Sequence, residues 1–116
     1  MIMFTSSITV LRAPLLVDRY NSERPDWKQA TRTRVTGVSV QPTATTETTT
    51  EPRDQVVTGW RVYSRAGVDL DVRHTDRVEL ENGTVCEVVG EIARWPHPIR
   101  PGLVHHVEFD IQRVRG

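Results

Sequence analysis

Residues 78–89 read VELENGTVCEVV, and this stretch decides the fold. Asn82 and Gly83 stand between two runs rich in valine, and Asn-Gly in that setting is the strongest short-range signal for a β-hairpin. We therefore expect residues 78–80 and 85–89 to be paired strands. The turn between them is predicted to be of type I′, which requires a positive φ at both central residues.

Further short runs with a two-residue period lie on both sides of this hairpin. His105, Val107, Phe109 and Ile111 alternate with polar residues, as expected of a strand with one buried face. Strands are also predicted at residues 7–12, 32–40 and 56–63, with a β-bulge at Gly37 and a loop over residues 17–28. In the third of these strands we expect one face to carry Val56, Thr58, Trp60 and Val62 and the other to carry Val57, Arg61 and Tyr63.

These runs together predict an all-β fold. No stretch sustains helical periodicity for three turns, and about six short strands joined by turns indicate a small closed or partly open β-barrel. With 116 residues and 37% hydrophobic residues, the chain has enough interior for one core. We expect a single domain over residues 1–116, with one long protruding loop.

That loop spans residues 41–55 and is far longer than an ordinary hairpin loop. Its threonines favour extended backbone, and prolines at both ends discourage helix, so a ribbon reaching roughly 20 Å from the body is one interpretation. A floppy surface loop is the other. The segment of interest consists of Thr43, Ala44, Thr45, Thr46, Glu47, Thr48, Thr49, Thr50, Glu51, Pro52 and Arg53.

Composition excludes several classes of protein. Fifteen basic and fifteen acidic residues cancel, which disfavours a dedicated nucleic-acid binder. The single Cys86 cannot form an internal disulfide. Residues 1–17 lack a basic start and are interrupted by Arg12 and Pro14, so we expect neither a secretory signal nor membrane contact, and synthesis in the cytoplasm.

No constellation supports catalysis, so we expect no enzyme, metal or cofactor. There is no nucleophile elbow and no glycine-rich phosphate loop. His105 and His106 resemble a ligand pair, but neighbouring strand residues are expected to point to opposite faces. Asp69, Asp71 and Asp76 lack the glycine and terminal Glu of a calcium loop and are interpreted as solvated turn residues.

One segment has the composition of an interface. Arg94, Trp95, Pro96 and His97 combine a cation, an aromatic ring and a stiff backbone, which are features of interface hot spots. The alternative is that Trp95 caps one end of the barrel. A second possible function is an OB-like module in which Trp60, Arg61 and Tyr63 bind single-stranded nucleic acid, although the neutral net charge argues against it.

Eight segments also resemble, in their order and spacing from about Thr5 to Arg115, the head-to-tail stopper proteins of long-tailed phages that infect actinobacteria. These segments are Val10-Leu11-Arg12-Ala13-Pro14, Asp18-Arg19-Tyr20, Asp26-Trp27, Val38-Ser39-Val40-Gln41-Pro42, Thr58-Gly59-Trp60-Arg61-Val62-Tyr63, Thr75-Asp76-Arg77-Val78, Gly90-Glu91-Ile92-Ala93-Arg94-Trp95-Pro96 and His105-His106-Val107-Glu108. Cys86 departs from the pattern, because a larger aromatic residue is expected there.

The resemblance implies a structural protein of the virion. It implies a small β-barrel in a homo-oligomeric ring at the neck, between the head-to-tail adaptor below the portal and the tail terminator or tail tube. Such a ring retains packaged double-stranded DNA that passes through its lumen. The family's channel loop maps onto residues 43–53.

Overall fold

The computed structural model describes residues 3–47 and 55–114. In these residues eight strands and one short 3-10 helix follow one another. They are β1 (Ser6–Arg12), β2 (Leu15–Val17), β3 (Glu23–Pro25), the 3-10 helix (Trp27–Gln29), β4 (Thr31–Glu47), β5 (Gln55–Tyr63), β6 (Arg77–Leu80), β7 (Val85–Pro96) and β8 (Val104–Arg113).

Six of the strands form a closed barrel in the order β1-β4-β5-β8-β7-β6. Every neighbouring pair is antiparallel, and β6 closes the barrel by pairing with β1 from Ile8↔Leu80 to Leu11↔Arg77. Closure leaves no long sheet edge in the barrel wall. The predicted fold class is confirmed.

The barrel interior is filled by alternate residues of the strands. Val107, Phe109 and Ile111 of β8 are buried, as the alternation predicted, and they meet Ile8 of β1 and Val62 of β5. Leu70 and Val72 add to this core from the connection between β5 and β6. Each such side chain contributes about 1.5–3 kcal/mol through burial.

A β-bulge occurs at Gly37, as predicted. Ser6 pairs with Val38 and Ser7 with Thr36, which leaves Gly37 as the extra residue. Its φ is 69°, a left-handed value that side chains with a Cβ rarely adopt. The bulge shifts the alternation, so that Val38 faces the core.

The prediction of a type I′ turn at residues 82–83 is wrong. The N–H of Gly83 donates to the carbonyl of Leu80, so Glu81 and Asn82 are the central residues, and of the turn residues only Gly83 has a positive φ, 89°. This is a three-residue loop, in which glycine supplies the left-handed position after an ordinary turn. The side chain of Asn82 instead accepts a hydrogen bond from the N–H of Thr84, at 3.0 Å.

Two further expectations need correction. Residues 17–28 are not a plain loop, because the small β2–β3 hairpin and the 3-10 helix occupy most of them. Val57 does not share a face with Arg61 and Tyr63, because a bulge at Thr58 reverses the alternation and packs Val57 against the core.

The aspartates between β5 and β6 are bound by arginines and are not simply solvated. The Asp76 side chain is only 1% exposed and accepts hydrogen bonds from Nε and Nη2 of Arg12 at 3.1 and 2.9 Å and from the N–H of Arg73. Arg12 also contacts the exposed Asp71, and this contact lowers the pKa of the Asp71 carboxyl. The solvated-turn interpretation is therefore wrong for Asp76, because a buried carboxylate needs a charged partner.

Cys86 should be unreactive while the barrel is folded. Its side chain is fully buried beside Val78, and burial raises the pKa of the thiol to about 11. Because the thiolate is the reactive species, we expect negligible labelling by Ellman's reagent at pH 8 in the native protein. One equivalent should react in guanidinium chloride. Rapid labelling of the native protein would contradict this buried position.

Candidate assembly surfaces

Strands β4 and β5 continue beyond the barrel as a two-stranded ribbon. β4 pairs with β1 only as far as Val38, and β5 pairs with β8 only from Gly59 onward. Residues 43–47 and 55–58, which we call the threonine ribbon, therefore have no sheet partner in β1 or β8 among the described residues. Thr43, Ala44, Thr45, Thr46 and Glu47 of the predicted loop lie on this ribbon, whereas Thr48, Thr49, Thr50, Glu51, Pro52 and Arg53 lie outside the described residues.

The base of the threonine ribbon carries a bulge on each strand. Pro42 pairs with Trp60 and Ala44 with Gly59, so Thr43 is an extra residue of β4. Thr45 pairs with Val57, so Thr58 is an extra residue of β5. Bulges bend and twist a strand pair, and two of them at one point turn the ribbon relative to the barrel wall.

A second projection extends from β7 and β8. β6 pairs with β7 only as far as Glu87, and β5 pairs with β8 only as far as Glu108. Beyond these points residues 93–96 pair in the sheet only with residues 104–108, whose backbone also bonds Ser64 and Gly67 at the base of the projection, and residues 97–103 close the tip. We call residues 93–108 the arm. It contains all four predicted interface residues, Arg94, Trp95, Pro96 and His97.

The threonine ribbon and the arm leave the barrel at opposite ends. The ribbon includes the C-terminal end of β4, and the arm includes the C-terminal end of β7. Three antiparallel pairings, β4 with β1, β1 with β6 and β6 with β7, separate these strands, so β4 and β7 run in opposite directions. The molecule measures 51 × 45 × 21 Å, which is more extended than a compact domain of 116 residues. The ribbon and the arm thus present separate surfaces at the two ends of the barrel.

Arg94 holds the arm to the body of the same subunit. Its guanidinium donates to Oδ1 of Asp69, to the carbonyl of Leu70 at 3.0 Å and to the carbonyl of Val72 at 2.9 Å. These bonds fix the connection between β5 and β6 against the base of the arm. Arg94 is thus committed to internal contacts, whereas Trp95 is 50% exposed and does not cap the barrel.

The expectation that His105 and His106 point to opposite faces is wrong. Trp95 pairs with His106 and Pro96 with Val104, so His105 is the extra residue of a bulge, which breaks the alternation. The two Nδ1 atoms lie 2.8 Å apart. Among the described residues, however, no group of three or more His, Cys, Asp or Glu side chains could hold a metal ion.

A charged network lies where the arm joins the barrel. Nε2 of His106 is 2.7 Å from Oε2 of Glu108, and Arg61 of β5 donates to both Glu108 and Asp110. Burial raises the pKa of Glu108, but hydrogen bonds from His106 and Arg61 outweigh it and hold that pKa below its ordinary value. The Trp95 ring stacks on His106 with centroids 6.3 Å apart.

The three residues of the nucleic-acid alternative do not form a stacking surface. Trp60 is only 8% exposed and belongs to the core. Arg61 lies over the Tyr63 ring at 5.7 Å, but both of its carboxylate partners neutralise it. A base could reach at most the Tyr63 ring.

Sequence reasoning missed two groups of exposed apolar residues. Ile99 and Leu103 at the tip of the arm are 82% and 53% exposed, and Leu15 and Val17 of the β2–β3 hairpin are 64% and 56% exposed. The available signal was the presence of large aliphatic residues inside proline-rich turn segments. None of the described residues forms a helix long and apolar enough to cross a membrane.

Comparisons with known proteins show the fold. No protein-family model matches the chain, and no curated protein sequence matches it. The solution structure of protein SF1141 from Shigella flexneri 2a is similar with a TM-score of 0.56 at 15% identity, over 96% of this chain and 93% of that one. The phage-like element PBSX protein xkdH from Bacillus subtilis is similar with a TM-score of 0.55 at 16% identity, over 96% of this chain and 95% of that one.

Proposed function

We propose that this chain is a structural virion protein of a phage neck, a head-to-tail stopper that forms a homo-oligomeric ring and retains packaged double-stranded DNA. The observation that carries the proposal is a closed barrel with a free-standing, threonine-rich ribbon at one end. The similarity in fold to a protein of a phage-like element supports it, as does the resemblance of eight segments to stopper proteins.

The chemistry of the ribbon suits a channel. Residues 43–53 contain six threonines, two glutamates and one arginine, and they contain no lysine. Hydroxyl groups can donate and accept hydrogen bonds between copies, whereas the net negative charge gives no adhesion to phosphates. Ribbons that converge on the ring axis would therefore obstruct DNA without holding it after release begins.

The opposite directions of ribbon and arm support a division in which the two ends have separate tasks. With the ribbon at the axis, the arm remains for neighbouring subunits, and the β2–β3 hairpin remains for the adaptor on the portal side or for the tail terminator or tail tube. The exposed aromatic and aliphatic residues of these elements are typical of surfaces that become buried on assembly.

The single-strand-binding alternative is weakened by the burial of Trp60 and the neutralisation of Arg61. Binding to an oligonucleotide at low salt would nevertheless revive it, because non-specific binding of nucleic acid is strongest there.

Cryo-electron microscopy of phage particles tests the proposal directly. We expect density for this barrel in a ring at the neck, with residues 43–53 directed to the axis of the DNA channel. A particle in which the ribbon points outward to solvent, or a neck without this barrel, would refute the assignment. Mass spectrometry of purified particles provides the independent check that the chain is a virion component.

A further inference from the structure

The tip of the arm combines an exposed apolar side chain with a cation. Ile99 is 82% exposed, and Arg100 follows it at the surface. The sequence contains no Asp or Glu between Glu91 and Glu108, so this whole stretch is basic. The tip is therefore suited to a partner surface that has an apolar floor and an acidic rim.

The conformation of this tip is fixed before any partner binds. Nδ1 of His97 accepts hydrogen bonds from the N–H groups of Ile99 and Arg100, at 3.1 and 3.0 Å. The N–H of His97 donates to the carbonyl of Leu103 at 2.8 Å, which closes the turn. Because little conformational freedom remains to be lost, docking of this tip costs less entropy than docking of a free loop.

A matching groove lies elsewhere on the same subunit. It has a volume of about 520 Å³ and is formed where β1 and β4 meet the connection between β5 and β6. Its apolar lining comes from Val10, Val35, Val68 and Leu70. We call it the valine groove. Val68, at its edge, is 41% exposed, so an apolar side chain from outside can reach the lining.

The rim of the valine groove carries two carboxylates and one guanidinium. The side chains of Asp69 and Asp71 are 57% and 80% exposed and line the groove together with Arg12, which bonds both carboxylate oxygens of Asp71. Arg94 bonds Oδ1 of Asp69, which leaves Oδ2 available to a further donor. The groove thus offers the tip of the arm an apolar floor and, at Asp69, one carboxylate oxygen for a cation.

The tip cannot fill the groove of its own subunit. Arg94 is anchored beside Asp69 at the groove edge, and from there the arm runs away as an extended strand. Ile99 lies beyond the end of β7 at Pro96, in the turn that closes the arm. The contact must therefore be made between two molecules.

We infer that the tip of one subunit inserts into the valine groove of a second copy, with Ile99 against Val68 and Arg100 beside Asp69. This inference rests on the proposed function, because it names the contact that would join neighbouring stopper subunits. The tip and the groove are different surfaces, so the contact is head-to-tail and can be repeated from copy to copy. Such a contact closes into a ring when the rotation between copies permits.

Cysteine cross-linking tests the contact. A chain with Val68→Cys and Ile99→Cys should form disulfides between copies under mild oxidation and give a ladder of covalent oligomers on a non-reducing gel. Each single variant should give dimers at most. The matched control pairs Val68→Cys with Val17→Cys, because Val17 is also an exposed valine on a projecting hairpin, and it should give no ladder.

Oxidation is carried out both on purified particles and on the purified chain at high concentration. A ladder in either sample supports the contact, and its absence from both overturns the inference. Particles that contain the chain but yield no ladder leave the stopper proposal standing. A chain that is absent from particles refutes the stopper proposal, while the purified chain still decides whether the contact exists.

The variant Ile99→Asp provides the second measurement. It should keep the melting temperature of the purified chain and reduce ladder formation of the cysteine pair Val68→Cys with Leu103→Cys by about tenfold or more, since burying an unpaired carboxylate in an apolar groove costs at least 1.4 kcal/mol. Tyr20→Asp, on the β2–β3 hairpin, is the matched control that should leave the ladder unchanged.

Discussion

Particles assembled with a chain that lacks residues 43–53 are expected to lose their DNA. The deletion removes the β4 strand of the threonine ribbon, which among the described residues pairs only with β5. The barrel pairings of β4 with β1 and of β5 with β8 lie outside the deleted segment. We therefore expect a folded subunit that enters the neck but leaves the channel open, so that most heads appear empty by electron microscopy.

Two controls separate gating from failure to assemble. The deleted chain should keep a cooperative thermal transition, and immunoblotting should find it in particles at the wild-type level. Heads that stay full of DNA although they contain the deleted chain would disprove the gating role of the ribbon.

Replacing Arg12 by leucine is expected to destabilise the isolated subunit by about 3 kcal/mol, because it leaves the buried Asp76 carboxylate without its charged partner. For a domain of this size the melting temperature should fall by more than about 10 °C. Thermal unfolding followed by circular dichroism measures both quantities.

Arg32→Leu is the matched control, since it removes an arginine from an exposed pair with Glu79. Exposed pairs contribute less than about 1 kcal/mol, so this variant should resemble the wild type. If the two variants lost equal amounts of unfolding free energy, the arginine side chains would stabilise this side of the barrel through their aliphatic stems and not through charge.

Much of the fold could be predicted from alternation alone. Val107, Phe109 and Ile111 follow a strict two-residue period, and this period identified both the strand and its buried face. Gly37 marked its bulge because the apolar phase shifts there and glycine tolerates the positive φ. The local sequence was sufficient to predict the structure wherever neighbouring residues determine the backbone conformation.

The errors arose where pairing with distant residues decided the conformation. The bulges at Thr58 and His105 depend on the register against β4 and β7, and nothing in the neighbouring residues of either position signals an extra residue. Asp76 was taken for a solvated turn residue because its partner, Arg12, lies 64 positions earlier in the chain.

In the predicted site, too, some features follow from the local sequence and others depend on contacts that the sequence does not reveal. The extended character of residues 43–47 could be predicted from threonine and proline. The arm could not, because its tip depends on the ring of His97 accepting two backbone N–H groups. A histidine at this spacing has no distinctive sequence signature, so the fixed conformation of Ile99 and Arg100 could not be predicted.

The ladder between β5 and β8 determines how the subunit bears mechanical load. β5 arrives from the ribbon and β8 arrives from the arm, and between them Gly59–Tyr63 faces residues 108–112 in five consecutive pairs. Forces that pull these two strands toward their own projections load all five pairs in shear at once instead of peeling them apart one by one. Arg61, bonded to Glu108 and Asp110, ties the same two strands together, so pressure on the ribbon can pass to the arm without opening the barrel.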